Sequence, residues 1–566
     1  MNSFLESWNP GSLGPFLPTN WVTLEALVLN LKRMILLILI LFLIFQATGK
    51  AGGTFAAGLE TPKIVIIEFH GLNKDIIQNN LASLPHFKEL IRGAGGKQNY
   101  IHLSNVFTTI PAASVPACTS MYTGLHPQNT GVVSTIWFDR RSTKVRTMIS
   151  YGQQRINHIL TQNNVKTLFE YVGAAGKTSL SAMLMIDKGT DWSIKTGLFF
   201  WGNASTVAAF KNRKWFPDPW YMDHKTISGA LTGHLFAYHK SLSGLLKEKG
   251  IIPDVTVIQL LGTDIMSHFP EASLTDQNAS IDEIQRRYAQ KVLDPEMGRL
   301  IRFFKTNKIY KNTIFFLVSQ QGSIKIEKHI ADTVVAACLK PGFNLPGLSI
   351  SHHRSEAVVM PGACTKEIYL KNRHTENWLH PPGLLTDVKP AIDLLMDDDT
   401  IQDCVNAMVI RQYPGERNEG IVENDAWWGF DRQSYQNGPR SDSSFLKALL
   451  PLKAGLHQFE LKDYISEGLT RQYTRETTPD IKLINKKGYY FEVDFTKYGH
   501  HGSYYPEDTV LSFWIAGPGL KTIIPERHTI ASATSTLDLI PMVAYLLGMQ
   551  QPVGIDGRNP LAGLKP

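Results

Sequence analysis

Four short polar segments of the 566-residue chain carry side chains that could act as a nucleophile or bind a metal ion. In the first, Ser114 lies between Pro111 and Pro116, ahead of a predicted helix. A hydroxyl at a helix N-terminus feels the positive end of the helix dipole, which also favours a bound phosphate. The segment therefore suggests a nucleophilic serine, although most serines ahead of helices are only N-caps.

The other three segments contain candidate metal ligands. Asp264 and His268 follow a predicted strand and are four residues apart, a spacing that can turn both side chains toward one ion. Two histidines at 500–501 are flanked by glycines, which permit a close approach to a metal ion or a phosphate. Segment 319–322 reads Ser-Gln-Gln-Gly after another predicted strand. Each segment alone also fits a helix cap or a surface histidine, so the argument depends on their combination.

The predicted secondary structure brings these segments to one edge of a sheet. Short apolar, β-branched runs are typical of buried parallel strands, and they occur at 63–69, 254–261 and 313–318. Two further strands are predicted at 100–107 and 509–516. Helical stretches separate them, including 280–304 and 535–547. This alternation predicts an α/β fold with a doubly wound, mostly parallel central sheet. Ligands of such sheets bind beyond the carboxyl ends of the strands, which is where the polar segments stand.

Composition narrows the class of protein. Apolar residues make up 43% of the chain and charged residues 19%, so the chain can bury a large core and is not intrinsically disordered. The net charge of +7 is spread without a dense basic cluster, so we expect no nucleic-acid partner. Four cysteines are too few for a disulfide-rich scaffold, but Cys338 and Cys364 are near enough in sequence to pair in an exported protein.

Residues 1–50 are interpreted as an N-terminal extension with a signal peptide or signal anchor. Twelve apolar residues, 34–45, follow two basic residues and precede small ones, as in a secretory signal peptide. A membrane-spanning helix needs about 20 residues. However, the fairly apolar stretch 21–31 leaves an uncleaved anchor open, and a buried core helix is the third interpretation. We expect an exported protein, periplasmic or secreted, with membrane attachment through 34–45 as the alternative to cleavage.

Together the four segments resemble the alkaline phosphatase superfamily, specifically its type I phosphodiesterase/nucleotide pyrophosphatase branch. That family has, in order, strand-Asp-Gly, a Ser or Thr nucleophile two residues before Pro and ahead of Thr-Gly-x-x-Pro, Asp-x-x-x-His, Ser-Asp-His-Gly, and His-Gly before a last strand. This chain has all five landmarks in order, two of them with altered residues, and block 111–127 is the most specific match. The resemblance runs from about Lys63 to the C-terminus and is weakest over 325–480.

The resemblance implies a hydrolase that uses two zinc ions bridged by the substrate phosphate. Carried over by position, Asp264, His268 and His501 would form one complete zinc site, with three ligands and a position left for substrate. Ser114 would be the nucleophile that forms a phospho-enzyme. The implied substrate is a small phosphate ester, in the first place a phosphodiester of the nucleotide pyrophosphatase type.

The other zinc site departs from the family pattern. His70 stands where the family has Asp after the first strand, and Gln320 and Gln321 replace its Asp-His pair. Neutral glutamines are poor zinc ligands, so one zinc ion is expected, while the second ion and the activation of Ser114 are in doubt. Substitute ligands or a lysine from 325–332 would be one rescue. The alternative is a catalytically degenerate pseudoenzyme that acts as a binding or scaffold protein.

The same landmarks divide the chain into three parts. After the extension at 1–50, residues 60–322 and 495–566 are predicted to form an alkaline-phosphatase-like α/β core. Between them, residues 323–494 are richer in Pro, Gly, Asn, Trp and His, and we interpret them as an inserted cap region. Specificity would then depend on the cap.

Overall fold

The computed structural model describes residues 61–148, 152–195, 219–233, 238–269, 279–346, 352–412, 426–430, 471–474, 476–492 and 498–564. The apolar segment 34–45 lies outside these residues, so the signal-peptide and anchor interpretations stay predictions. Within the described part of the chain, no helix combines the length and the apolar character that a membrane crossing requires.

A nine-stranded sheet forms the centre of the described structure. Its strands are β1 Lys63–Phe69, β2 Tyr100–Phe107, β3 Ser179–Ala182, β4 Trp192–Ile194, β5 Val255–Leu260, β6 Thr313–Val318, β7 Val510–Ala516, β8 His528–Ile530 and β9 Thr534–Ser535. The spatial order is β8-β2-β7-β6-β1-β5-β3-β4, and β9 also pairs with β2. All pairings are parallel except those of β7, which runs antiparallel to β2 and β6. The predicted mostly parallel sheet is confirmed.

Helices cover both faces of this sheet. In chain order the described helices are α1 Ile76–Asn80, α2 Pro85–Arg92, α3 Ser114–Thr123, α4 Pro127–Thr130, α5 Gly152–Gln162, α6 Leu168–Ala174, α7 Pro219–Thr232, α8 Leu242–Lys249, α9 Gly262–His268, α10 Ile281–Tyr288, α11 Asp294–Thr306, α12 Val334–Leu339, α13 Lys389–Met396, α14 Asp399–Cys404, α15 Pro506–Thr509 and α16 Leu539–Leu546. Of these, α12, α13 and α14 pack in a separate apolar core and not on this sheet. The alternation of strands and helices therefore produces the predicted doubly wound arrangement.

The sequence of β1 shows why the sheet is covered on both sides. Ile64 and Ile66 point into the apolar core shared with α3, α5, α6 and α16. Val65, Ile67 and Phe69 point into the opposite core, shared with α2, α7, α8, α10 and α11. Burying one such side chain stabilises the fold by about 1.5–3 kcal/mol. A continuous apolar run is therefore favourable only in a strand with helices on both faces.

The helix predicted over 280–304 is continuous but not uniform. It consists of α10 and α11 joined by a π-helical turn at Ala289–Leu293. Pro295 lies two residues after this turn, and proline has no N–H to donate to the preceding turn. The apolar periodicity predicted the helix, whereas the wider turn comes from this local loss of a donor.

A second, antiparallel sheet lies within the range predicted for the cap. Its five strands are, in spatial order, Ala357–Met360, Thr365–Leu370, Ile481–Asn485, Val405–Gln412 and Ala426–Phe430. Together with α12, α13 and α14 it encloses an apolar core of its own. Short two-stranded pairings join Ile136–Asp139 to Lys144–Thr147, Ile324–Lys325 to Gly499–His500, and Lys328–Ile330 to Tyr489–Phe491. The boundaries at 322 and 495 stay predictions.

The disulfide suggested by the sequence is wrong. All four cysteines are free thiols. Cys338 lies on α12 against the second apolar core, whereas the Cys364 thiol lies 3.6 Å from the backbone carbonyl of His501. Cys118 and Cys404 are buried thiols. Nearness in sequence was a poor guide because the two cysteines belong to different parts of the cap.

Candidate active site

The candidate residues meet at the carboxyl ends of β1, β5 and β6, three neighbouring parallel strands. His70 directly follows β1, and its backbone N–H still bonds the carbonyl of Leu260 in β5 at 2.9 Å. Asp264 and His268 lie on α9, which begins just after β5. Because carboxyl ends of adjacent parallel strands share one edge, residues distant in sequence come within hydrogen-bond distance there.

Ser114 is the first residue of α3, but it does not cap the helix. The cap residue is Ala113, and it makes no side-chain capping bond. The half-buried Ser114 hydroxyl instead lies 2.9 Å from His70 Nε2 and 3.5 Å from His501 Nε2. It also accepts a hydrogen bond from Gln321 Nε2 at 3.2 Å. The alternative that Ser114 is only an N-cap residue therefore does not describe its contacts.

Asp264, His268 and His501 form a compact cluster whose nitrogen and oxygen ligand atoms all lie within 4.8 Å of one another. Asp264 Oδ2 is 3.3 Å from His268 Nε2, and Asp264 Oδ1 is 3.4 Å from His501 Nε2. His268 donates through Nδ1 to the carbonyl of Gly499 at 2.6 Å, which leaves Nε2 for a ligand. Three such donors with an open position match the ligand set of a catalytic zinc ion.

The protonation of this cluster also suits a cation. Burial opposes the ionisation of Asp264, but the attraction of His268, His70 and His501 outweighs it and holds the pKa of the carboxyl below its ordinary value. Burial lowers the pKa of His501 well below 6.5, against the opposing attraction of Asp264. An ionised carboxylate and a neutral imidazole are the forms that bind zinc. The residues of this cluster therefore fit a zinc ion.

Gly71 allows Asp264 to come this close to β1. Its φ of +73° lies in the left-handed region, and a Cβ added at this position would lie 2.8 Å from Asp264 Oδ1. Only glycine combines that backbone conformation with the absent side chain. The glycine that follows His70 in the sequence is therefore part of how the cluster is built.

The second group of candidates does not fit a zinc ion. His70 is 2% exposed, and both of its ring nitrogens contact side chains. His70 Nε2 faces Ser114 at 2.9 Å, and Nδ1 faces Gln259 Nε2 at 3.4 Å. Gln320 Nε2 lies over the ring, 2.7 Å from Nδ1 and 3.2 Å from Nε2. Gln320 and Gln321 are fully buried and neutral, and their Oε1 atoms have no hydrogen-bond partner among the described residues. The nearest carboxylate is that of Asp264, with Oδ2 3.7 Å from His70 Nε2.

Side chains of 325–332 have partners away from Ser114. Lys325 Nζ lies 3.4 Å from the carbonyl of Ala279 and 5.0 Å from the centre of the Tyr498 ring. His329 pairs with Glu492 at 3.3 Å, and Asp332 pairs with the buried Lys366. The structure thus gives no support to the idea that this loop replaces the missing zinc ligands.

The sequence analysis missed two buried polar residues beneath the site. Glu68 in β1 and Gln259 in β5 are paired in register, and Gln259 Nε2 donates to Glu68 Oε1 at 2.8 Å. Tyr122 donates to the other carboxylate oxygen at 2.8 Å. Burial raises the pKa of Glu68 to about 7, although both hydrogen bonds oppose the rise. The sequence signal for each was a polar residue inside an otherwise apolar strand. A polar side chain in a buried strand needs a hydrogen-bond partner.

Comparison with known proteins gave a family and a large number of solved structures, three of which follow. The sequence profile of the family described as type I phosphodiesterase / nucleotide pyrophosphatase matches residues 64–382. Murine ectonucleotide pyrophosphatase / phosphodiesterase 5 is 15% identical, with a TM-score of 0.48 over 87% of this chain and 96% of that chain. Its inactive variant in complex with AMP gives the same values. The human protein of the same name is 15% identical, with a TM-score of 0.49 over 88% and 97%. A search of curated proteins gave no match.

Proposed function

Because the chain belongs to the type I phosphodiesterase/nucleotide pyrophosphatase family of hydrolases, we propose that it hydrolyses a small phosphodiester through a phospho-enzyme formed on Ser114. The observation that carries this proposal is the position of the Ser114 hydroxyl. It is half-buried at the start of α3, free of any capping role, and within 3.5 Å of an imidazole on each side. The N–H groups of the first turn of α3 favour a phosphate beside it.

Asp264, His268 and His501 would hold one zinc ion next to Ser114. Such an ion, when bound, polarises a phosphoryl oxygen and stabilises negative charge on the leaving oxygen. The protein's own contribution is orientation, because the carbonyl of Gly499 fixes the ring of His268 and Gly71 makes room for Asp264.

Turnover of an aryl phosphodiester tests this proposal. We expect bis(4-nitrophenyl) phosphate to be cleaved by the natural chain and its cleavage to fall by about 10³-fold or more in Ser114→Ala, since the variant lacks the attacking oxygen. Acid quenching during turnover should trap phosphate on Ser114, detectable by peptide mass spectrometry. Equal rates for the two proteins would refute the proposal.

A second candidate is a pseudoenzyme that binds a phosphate ester without cleaving it. The absence of a carboxylate among His70, Gln320 and Gln321 favours this reading. Its test is the triple variant His70→Asp, Gln320→Asp, Gln321→His, which should gain zinc-dependent turnover that the natural chain lacks. Equal turnover before and after the substitutions would count against a pseudoenzyme.

We also propose that the protein is exported, on the basis of the basic and apolar pattern before residue 46. Expression of the full chain followed by N-terminal sequencing of the purified protein tests this. A mature N-terminus near Gly49 would support cleavage, and an intact segment 34–45 in the membrane fraction would support an anchor. An intact N-terminus in the soluble cytoplasmic fraction would contradict export.

A further inference from the structure

We propose that Asp223 is a positioning residue for the metal cluster: it holds the first turn of α9, the helix that carries Asp264 and His268. This inference rests on the proposed zinc site and adds to it a residue that acts through the backbone of the helix. Asp223 lies on α7, 39 positions before the residue that it holds, and its side chain is fully buried.

The carboxylate of Asp223 accepts hydrogen bonds from two other helices. Oδ1 accepts from the backbone N–H of Gly262, the first residue of α9, at 2.9 Å. Oδ2 accepts from the hydroxyl of Tyr288 on α10, also at 2.9 Å, and Tyr288 is 1% exposed. A carboxyl group buried away from water is costly unless hydrogen bonds compensate it. These two bonds compensate Asp223 and fix it relative to α9 and α10.

Asp223 supplies the N-terminal acceptor that α9 lacks in its own segment. The residue before the helix is Leu261, which makes no side-chain capping bond, so the first N–H group of α9 depends on an acceptor from another helix. The approach is close enough to require a glycine. A Cβ added at residue 262 would lie 2.5 Å from Asp223 Oδ2 and would collide with the Tyr288 hydroxyl. The start of α9 is therefore built around this carboxylate.

The position of α9 matters because the helix is short. A helix of seven residues has little stability of its own, so tertiary contacts decide where its side chains point. His268 fixes its far end through the carbonyl of Gly499. Asp264 lies in its first turn, two residues after Gly262, so a shift of this turn would move the Asp264 carboxylate first. Displacing a ligand or its supporting contacts weakens a metal site.

The same arrangement occurs on a helix that carries no candidate site residue, which provides a matched control. Asp294, the first residue of α11, is 3% exposed. Its Oδ1 accepts from the backbone N–H groups of His86 and Phe87 in the first turn of α2, at 2.9 and 3.0 Å. Substitution of Asp294 therefore measures what the loss of such a buried acceptor costs the fold, without moving α9.

The test measures the zinc dissociation constant of the purified full chain by competition with a chelating indicator. Asp223→Leu has similar volume but no acceptor, and we expect its zinc dissociation constant to rise by about tenfold. Asp223→Asn keeps an oxygen for the Gly262 N–H, so its constant should stay within about threefold of the natural value. Asp294→Leu should lose thermal stability but keep the natural zinc affinity.

Three outcomes of this measurement would overturn the inference. Unchanged affinity in Asp223→Leu would show that the first turn of α9 needs no such support. An equal loss in Asp223→Leu and Asp294→Leu would show a general effect of lower stability. An equal loss in Asp223→Leu and Asp223→Asn would show that the charge of Asp223 matters and its position does not.

A spectrum separates displaced ligands from a merely less stable fold. Co²⁺ binds the nitrogen and oxygen ligands that bind Zn²⁺, and its visible absorption depends on how those ligands are arranged. With Co²⁺ at saturation, Asp223→Leu should show a changed absorption band, whereas Asp223→Asn and Asp294→Leu should show the natural one. Identical spectra for Asp223→Leu and the natural chain would contradict a positioning role.

Folding and the proposed function are controlled separately. If Asp223→Leu does not fold, Tyr288→Phe replaces it, because it lacks only the hydroxyl that fixes Asp223 Oδ2. Its zinc dissociation constant should rise by about threefold, and an unchanged constant would overturn the inference. Absence of zinc binding by the natural chain would overturn both the zinc site and this inference. Zinc binding that depends on Asp223, without phosphodiester turnover, would refute the proposed hydrolysis alone.

Discussion

The two sides of the Ser114 hydroxyl differ in charge and in how their lone pairs are used. On one side, Asp264, His268 and His501 place one carboxylate and two imidazoles within 4.8 Å of one another. On the other, the side chains closest to the ring nitrogens of His70 are those of Ser114 and Gln320, which are neutral, and Asp264 is farther away at 3.7 Å. A zinc site needs several lone pairs that face one open position, and an anionic ligand strengthens it, whereas a hydrogen-bonded chain needs donors matched to acceptors. Only the side formed by Asp264, His268 and His501 meets the requirements of a cation site.

Burial has opposite consequences on the two sides. Removing Asp264 from water would favour its neutral form, and it stays ionised because imidazoles surround it. On the other side, burial lowers the pKa of His70, although the attraction of Asp264 opposes the fall. Groups that are neutral and hydrogen-bonded are buried at a much lower cost than ions. This difference predicts that a substitution can disrupt the Asp264 cluster without disrupting the contacts of His70, and the reverse.

The largest expected effect is that of Asp264→Asn. The substitution keeps the shape of the side chain but removes the only carboxylate of the cluster, so zinc affinity should fall by more than about 100-fold. Zinc content per chain, measured by elemental analysis after dialysis against a zinc buffer, should fall to near zero, and phosphodiester turnover should fall with it. Glu283→Gln, on the surface of α10, should keep its zinc. Zinc retained by Asp264→Asn would place the ion elsewhere.

A smaller effect on zinc affinity is expected from Gly71→Ala, a substitution at the backbone position that makes room for Asp264. The new Cβ would lie 2.8 Å from Asp264 Oδ1 at a φ of +73°, so it would displace the carboxylate as well as strain the chain. We expect zinc affinity to fall by about tenfold and the free energy of unfolding by about 1–2 kcal/mol. Gly176→Ala is the matched control, because Gly176 has a φ of +69° and open space around it. Gly176→Ala should lose stability but keep its zinc affinity. An equal loss of zinc affinity in both variants would contradict the argument that the new Cβ at residue 71 displaces Asp264.

The last prediction concerns the stability of the fold rather than zinc binding, at Glu68 beneath the neutral side. Burial raises its pKa to about 7 in the folded protein, above its ordinary value of 4.5. The protonated form therefore adds stability that is fully present below pH 4.5 and is lost as the pH rises to about 7. Relative to Glu68→Gln, the natural chain should lose roughly 3 kcal/mol of unfolding free energy between pH 4.5 and 8. Urea unfolding across this range measures it, and a difference independent of pH would show that Glu68 is not protonated.

Much of the fold was predictable because its signals are local. The strands 63–69, 100–107 and 313–318 were predicted with the bounds that the structure has. For 313–318 the signal is an uninterrupted apolar run, which a strand buried on both faces needs. The π-helical turn within 280–304 was not predicted, because the apolar period continues through it. The pairing of Cys338 with Cys364 failed for the opposite reason, as the two are close only in sequence.

The candidate site was predictable as a set of residues but not as a set of contacts. The order of motifs singled out Ser114, Asp264, His268 and His501, and the structure brings them together although 387 positions separate the first from the last. Whether Ser114 capped its helix, and where the side chains of 325–332 pointed, depended on neighbours from other strands. Glu68 escaped notice because its partners are on α3 and β5 rather than nearby in sequence.

By itself, the sequence determined the type of fold, the family and the departure of three residues from the family's zinc ligands, because periodicity, motif order and residue type are properties of the chain. Only the tertiary structure decided what the departing residues do. A histidine and two glutamines have no assigned role until their donors and acceptors find partners. Those partners, and the burial that sets protonation, come from strands β1, β5 and β6, which meet only when the sheet is formed.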